Sequence, residues 1–235
     1  CVRYPRGDNR TDGRLGSGDA PAVARRGDLQ PRRPNGSLPH PFLDPDFNED
    51  IRLALVAFGP NTLALGGRAF DDVILHTYFT PETLQRCVKT VKSAAEQAGR
   101  DPDSVRVWSC LATVGDHLPE QLRLKKTVAR LATYLQGYGD LLVRTNKWNP
   151  DVLDRFRADP VVTSIAGGID HKATSEQIEH IATLIPDEWL QPSATGSAQQ
   201  CADRIREEFD YGADAVIMHG ATPEELEPIV TAYRA

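Results

Sequence analysis

The hydrophobic pattern of this chain changes character at Leu53. LALVA at 53–57 is an unbroken apolar run, which predicts a parallel strand buried on both faces. Phe58-Gly59-Pro60-Asn61 interrupts it. Gly59 admits close approach to the backbone, and Pro60 fixes φ where a helix is about to start. Residues 62–65 read as a short helix whose free N–H groups face that bend, loosened at its end by Gly66-Gly67. Residues 71–75 form the second strand, with His76-Thr77 at its C-terminal end.

A helical period takes over next. Thr80 caps a helix with Pro81 in its first position, its stripe is Leu84, Cys87, Val88, Val91, Ala94, Ala95 and Ala98, and Gly99 stops it. Residues 105–112 return to a period of two, with Arg106, Trp108 and Cys110 on one face and Val107, Ser109 and Leu111 on the other. A long crossover occupies 113–212. In it, a helix begins at Pro119 and lines up Leu124, Val128, Leu131, Leu135 and Tyr138. A short helix runs between Asn149-Pro150 and Asp159-Pro160, and 161–172 is loop-like. Thr174 with Gln177 and Ser197 with Gln200 are capping boxes that open two further helices. Residues 213–218 are the fourth strand, and Thr222, Pro223 and Glu225 start a last helix that buries Leu226, Ile229, Val230 and Tyr233. Four strands, each followed by helix, make a parallel α/β sheet, and ligands gather at the carboxyl ends of such strands.

Residues 1–43 lie outside this order. They hold eight Arg, no Lys and four Asp, a net of +4, against −10 for residues 44–235. Dense in Gly, Pro and Arg and poor in apolar surface, this segment is expected to be an irregular tail. Its arginines are spaced apart and interleaved with aspartate, so a nucleic-acid partner is not expected. Residues 45–50 form an acidic approach to the first strand. The chain opens on Cys1 rather than Met, and it is expected to be a piece of a longer product whose start was truncated or out of frame. No run has the apolar length of a membrane span, and four scattered cysteines without a CxxC pair point to a reducing cytoplasm.

VAFGPNTLALGGRAFDDVILHTYFTPETL, followed by GRDPDSVRVWSCLATVGD, LATYLQGYGDLL, PDEWL and ATGSAQQCADRIREEFDYGADAVIMHG, resembles the bacterial-luciferase-like oxidoreductases from Asp44 to the end. More narrowly it is similar to their deazaflavin branch, which uses coenzyme F420. The resemblance implies a partial TIM (β/α)8 barrel: the four strands would be the fifth to eighth, with a helical insertion after the third of them, over residues 44–235. It also implies hydride transfer between the deazaflavin and a small organic substrate, with an FMN-dependent monooxygenase as the sister possibility. Paired subunits are common in such a family, so a homodimer is an expectation. Four strands in a curved row leave two open edges and a bare interior face. The other class of function is therefore a non-catalytic remnant that packs against a partner.

On that resemblance, Phe58, Gly59, Pro60, Asn61 and Thr62 are candidate cofactor-binding residues, against the alternative of a tight turn with a capping Asn. His76 and Thr77 are candidates because they end a strand, against a simply hydrogen-bonded histidine. His219-Gly220 end the last strand in the same way. No catalytic residue is named, since the acid–base groups of the family come from the barrel's first half. His117, His171 and His180 show no metal spacing, and no metal is expected. Asp71-Asp72 read as solvated turn residues, and Cys110 as a small core residue.

Overall fold

The structure, a computed structural model, describes residues 32–33, 36–37 and 50–235. The expected tail at 1–43 and the approach at 45–50 lie outside the described residues, apart from Asp50 and a small antiparallel ladder between β1 (Arg32–Arg33) and β2 (Gly36–Ser37). From β3 (Ala54–Val56) onward the chain is a partial (β/α)8 barrel. β3 pairs with β4 (Asp72–Ile74), and β4 with the ten-residue β5 (Arg106–Gly115). The middle of β5 pairs with β7 (Ala215–His219), and its C-terminal end with β6 (Ser193–Gly196). Every pairing in this sheet is parallel. The sheet thus has five strands where the sequence predicts four. β6 is four residues of SATG, too short and too polar to read as a strand, and it forms because the end of β5 offers free backbone groups.

Helix α1 (Pro60–Ala69) follows β3, and α2 (Pro81–Gln97) follows β4. Thr80 accepts from the Thr83 N–H and Gly99 stands at φ 74, as the cap and stop signals require. α1 does not end at Gly66-Gly67; it runs straight through them. A Cβ on Gly66 would sit 2.5 Å from a Val73 methyl, and one on Gly67 2.2 Å from the Val91 carbonyl oxygen. These glycines permit contact between α1, β4 and α2 rather than flexibility. β3 itself is not covered on both faces: Val56 is 67% exposed, and Ile51 and Leu53 are exposed beside it. Among the described residues β3 has a neighbour on one side only, so it is the open edge that four strands imply.

The crossover is almost wholly helical. α3 (Glu120–Leu124) passes through one π turn (Lys125–Ala129) into α4 (Arg130–Asn146). α5 (Pro150–Ala158) ends at Asp159, which at once caps α6 (Pro160–Ser164); α7 (Ile169–Lys172) follows. The stretch expected to be loop-like therefore contains two short helices. Both capping boxes form, opening α8 (Ser175–Ala182) and α10 (Ala198–Asp210), with the one-turn α9 (Asp187–Leu190) between them. A third box at Thr222 and Glu225 opens α11 (Pro223–Arg234), whose Ile229 is fully buried. No helix of the described residues is long and apolar enough to cross a membrane.

Register partners of a parallel sheet share a face, which sorts the side chains into layers. Val73, Val107, Leu111 and Val216 point outward to the helices. The interior starts with Ala54, Asp72 and Arg106, continues with Val56, Ile74, Trp108 and Ala215, and rises to Cys110 and Ile217, then Ala112 and His219. Asp72 departs from expectation here: it is 5% exposed and not a solvated turn residue. Its carboxylate accepts from Arg52 Nε at 2.8 Å, Arg106 Nε at 2.8 Å and Trp108 Nε1 at 2.7 Å. Burial alone would raise its pKa, but those three donors outweigh it and hold the group at about 2. This network lies at the N-terminal end of the half barrel's interior.

Candidate functional site

Two residues beyond Val56 and Ile74 in the same alternation come Phe58 and His76, at the C-terminal ends of β3 and β4. Their rings meet with centroids 4.9 Å apart. The bend and the strand-end histidine, separate candidates in the sequence, are thus one feature. Phe79 sits edge-on to Phe58 at 5.1 Å. From the crossover, α4 lays Tyr134 and Tyr138 over the same spot, stacked at 5.5 Å and each edge-on to His76, at 4.9 and 5.1 Å.

His76 has both ring nitrogens engaged. Nδ1 lies 2.9 Å from the Thr77 carbonyl and Nε2 2.8 Å from the Tyr138 hydroxyl. Neither ring nitrogen is left free for a ligand. Thr77 is turned inward; it is 2% exposed and donates its hydroxyl to Cys110 Sγ at 3.4 Å. Cys110 is half-buried, and burial keeps its thiol above the usual range. The loop after His76 is held under strain. Tyr78 adopts φ 63 while fully buried, donates to the Thr127 carbonyl, and is clamped by Asn146, whose amide donates to the Tyr78 carbonyl and accepts from the Thr80 N–H.

The 58–62 bend is open. Gly59 precedes α1 without any side-chain capping bond, and a Cβ there would meet nothing within 4 Å. Asn61 does not cap the helix; its side chain is exposed, and among the described residues neither it nor Thr62 has a side-chain hydrogen bond. Among the described residues no side chain caps the first N–H groups of α1, as an anion-binding helix start requires. His219 ends β7 on the interior row, and its Nδ1 is buried with no partner among the described residues. Burial lowers the pKa of both histidines, and His219 lowers that of His76 further, so the two are electrostatic neighbours.

Because the folded state binds protons at His76 and His219 less readily than the unfolded chain, stability is full above pH 6.5. It is expected to decline as pH falls from 6.5 toward the lowered values. Urea midpoints measured between pH 7.5 and 5 should fall, and His219→Gln should flatten the decline.

The residues that sequence reasoning missed are Tyr134, Tyr138, Phe79 and Asn146. One signal existed: LATYLQGYGD spaces two tyrosines four apart on a helix, yet Tyr138 also fits the apolar stripe and is absorbed into it. Two cavities lie outside the aromatic cluster. One of about 180 Å³ is bounded by Val114, Arg123, Thr127 and Thr195; the other, of about 530 Å³, lies between Thr80, Trp148 and Tyr211. Among the described residues no cluster of three or more His, Cys, Asp or Glu side chains has the geometry to hold a metal ion.

The model of the luciferase-like monooxygenase family matches residues 16–215, starting inside the segment expected to be irregular. Among solved structures, the coenzyme F420-dependent tetrahydromethanopterin reductase of Methanopyrus kandleri is similar at 18% identity and a TM-score of 0.57, over 76% of this chain and 48% of that one. An F420-dependent secondary alcohol dehydrogenase, solved with an F420-acetone adduct, is similar at 15% identity and a TM-score of 0.53, over 88% of this chain and 56% of that one. The chain thus spans about half the length of either protein. No curated protein matches it.

Proposed function

This chain belongs to the luciferase-like monooxygenase family, and from that premise we propose that it contributes the C-terminal half of an F420-type deazaflavin site in an oxidoreductase acting on a small organic substrate. The observation that carries the reading is the meeting of Phe58 and His76 at 4.9 Å, under Tyr134 and Tyr138, at the strand ends where barrels bind ligands. Both similar folds above belong to F420-dependent enzymes, which favours the deazaflavin over FMN.

The residues present suit such a group. A flat heteroaromatic ring needs apolar ring faces, which Phe58, His76 and the tyrosines provide. An anionic tail needs unpaired donors and room, which Gly59, Asn61, Thr62 and the start of α1 after Pro60 provide. Thr77 would act from beneath, fixing Cys110 and, through its carbonyl, the orientation of His76. When bound, the deazaflavin supplies a carbon that accepts or releases hydride; the chain's own part is to bind, orient and exclude water.

Fluorescence titration with F420 tests this. Gly59→Ala places a methyl in open space at φ −91, so the thermal midpoint is expected to stay unchanged. F420 affinity is expected to fall about tenfold, near 1.4 kcal/mol, because the methyl occupies the ligand's approach. Tighter binding of FMN than of F420 would overturn the deazaflavin assignment. Binding of neither by the folded chain would overturn the site.

A further inference from the structure

We infer that the cavity of about 180 Å³ beside Arg123 is a binding site for a small carboxylic acid, separate from the coenzyme site proposed above. One wall is strand: Val114 on β5 and Thr195 on β6 are register partners and share a face. The other is the start of the crossover helix, which contributes Glu120, Arg123, Leu124 and Thr127. Arg123 stands three turns before Tyr134, about 16 Å by helical rise. The cavity includes no residue of the aromatic cluster.

Unmatched positive charge is what marks the cavity. Arg123, Lys126 and Arg130 follow one another along this helix, and two of the three are neutralised. Lys126 meets Glu225 at 2.9 Å and the Gly220 carbonyl at 2.8 Å, and Arg130 meets Asp170 at 2.7 Å. The Arg123 guanidinium has neither a carboxylate nor a hydrogen-bond acceptor among the described residues, and its Nε is closed off from solvent as well. A guanidinium that sheds water at one edge without gaining a partner costs the fold free energy. A bound anion offsets that cost. With Nε covered, the two terminal nitrogens are left to meet it, and their parallel N–H bonds match the two oxygens of a carboxylate.

The rest of the lining narrows the ligand. Thr195 is exposed, and its hydroxyl has no bond among the described residues, so it can donate to the same anion. Thr127 donates its hydrogen to the Arg123 carbonyl at 2.8 Å, so toward the cavity it can only accept. Val114 and Leu124 give the other side an apolar seat for a short carbon chain. Charge decides between oxyanions. Arg123 shares the cavity with the Glu120 carboxylate, so one further negative charge is tolerated better than two. A carboxylate brings one; a phosphate group brings nearly two at neutral pH.

The test is nitrogen-15 NMR of the arginine-labelled full chain at neutral pH and constant ionic strength. Its probes are butyrate, the neutral isostere butyramide and inorganic phosphate. Arg123 signals are identified by their loss in Arg123→Met. Butyrate is expected to shift them saturably, butyramide not at all, and phosphate only at higher concentration than butyrate. Arg123→Met keeps the bulk of the stem and removes the unpaired charge, so without ligand its thermal midpoint is expected to equal or exceed that of the wild type. Butyrate affinity by calorimetry is expected to fall at least about tenfold in that variant, the scale of one charged hydrogen-bonded pair. Glu120→Gln removes the competing carboxylate and is expected to tighten butyrate about threefold. F420 titration of Arg123→Met is expected to match the wild type. A butyramide response equal to that of butyrate, or butyrate binding that survives Arg123→Met, would overturn the site. So would a lowered thermal midpoint in Arg123→Met, because Arg123 would then already have a structural partner. Phosphate binding tighter than butyrate would overturn the choice of oxyanion, and loss of F420 in Arg123→Met alone would make the cavity part of the coenzyme site. Should the wild type bind no F420, the coenzyme reading fails while the butyrate response still decides this site.

Discussion

Trp189→Ala is expected to destabilise the chain by about 3–5 kcal/mol, the range for truncating a large buried aromatic. Trp189 is fully buried and lies flat on Trp148, with ring centroids 4.6 Å apart and planes 8° from parallel. α9, which carries it, is a single turn with no side-chain cap, so the stack is what fixes that turn in place. Trp148 directly follows α4 and its left-handed stop at Lys147. Loss of the stack should therefore loosen the end of the helix that bears Tyr134, Tyr138 and the clamping Asn146. The indole Nε1 has no partner among the described residues, so part of its burial is unfavourable. Trp189→Phe removes that N–H and keeps a ring, and it is expected to lose less than about 2 kcal/mol. Urea denaturation of both variants checks the ordering; equal losses would mean that the ring stack contributes nothing.

How far the sequence spoke depended on whether a feature was local. Helix starts were legible because the cap and its partner lie three residues apart: Thr80, Thr174, Ser197 and Thr222 each accept the bond their spacing predicts. The four strand positions were legible from apolar runs and alternation, and with them the strand ends that carry His76 and His219. β6 was not, because its pairing is decided by the length of β5 and not by SATG. Nor was the burial of Asp72, whose partners arrive from 20, 34 and 36 residues away. The candidate site divides along the same line. Phe58 and His76 could be nominated from strand ends, whereas Tyr138 joins them across 62 residues and from a helix that looked merely amphipathic. Membership of a site of this kind is a property of crossing geometry, which one-dimensional periodicity does not contain.

Gly67→Ala shows the limit from the other side, and it is expected to destabilise the fold by about 3 kcal/mol or more. On propensity alone the change favours a helix by roughly 1 kcal/mol, since glycine is the poorer helix former. The added carbon, however, would lie 2.2 Å from the Val91 carbonyl oxygen, 3.0 Å from the Ala94 methyl and 3.1 Å from the Ala95 nitrogen. Two of those are backbone atoms of α2 and cannot rotate aside, so α1 has to lift away from α2. Lifting α1 moves its N-terminal turn, and with it the open bend at Gly59 that precedes it. Gly66→Ala is the graded comparison: its clash is with a Val73 methyl, and a side chain gives more readily than a carbonyl. Thermal and urea unfolding of the two variants should place Gly67→Ala well below Gly66→Ala. If Gly67→Ala were neutral or stabilising, the close seating of α1 on α2, and with it the position of the proposed coenzyme bend, would have to be given up.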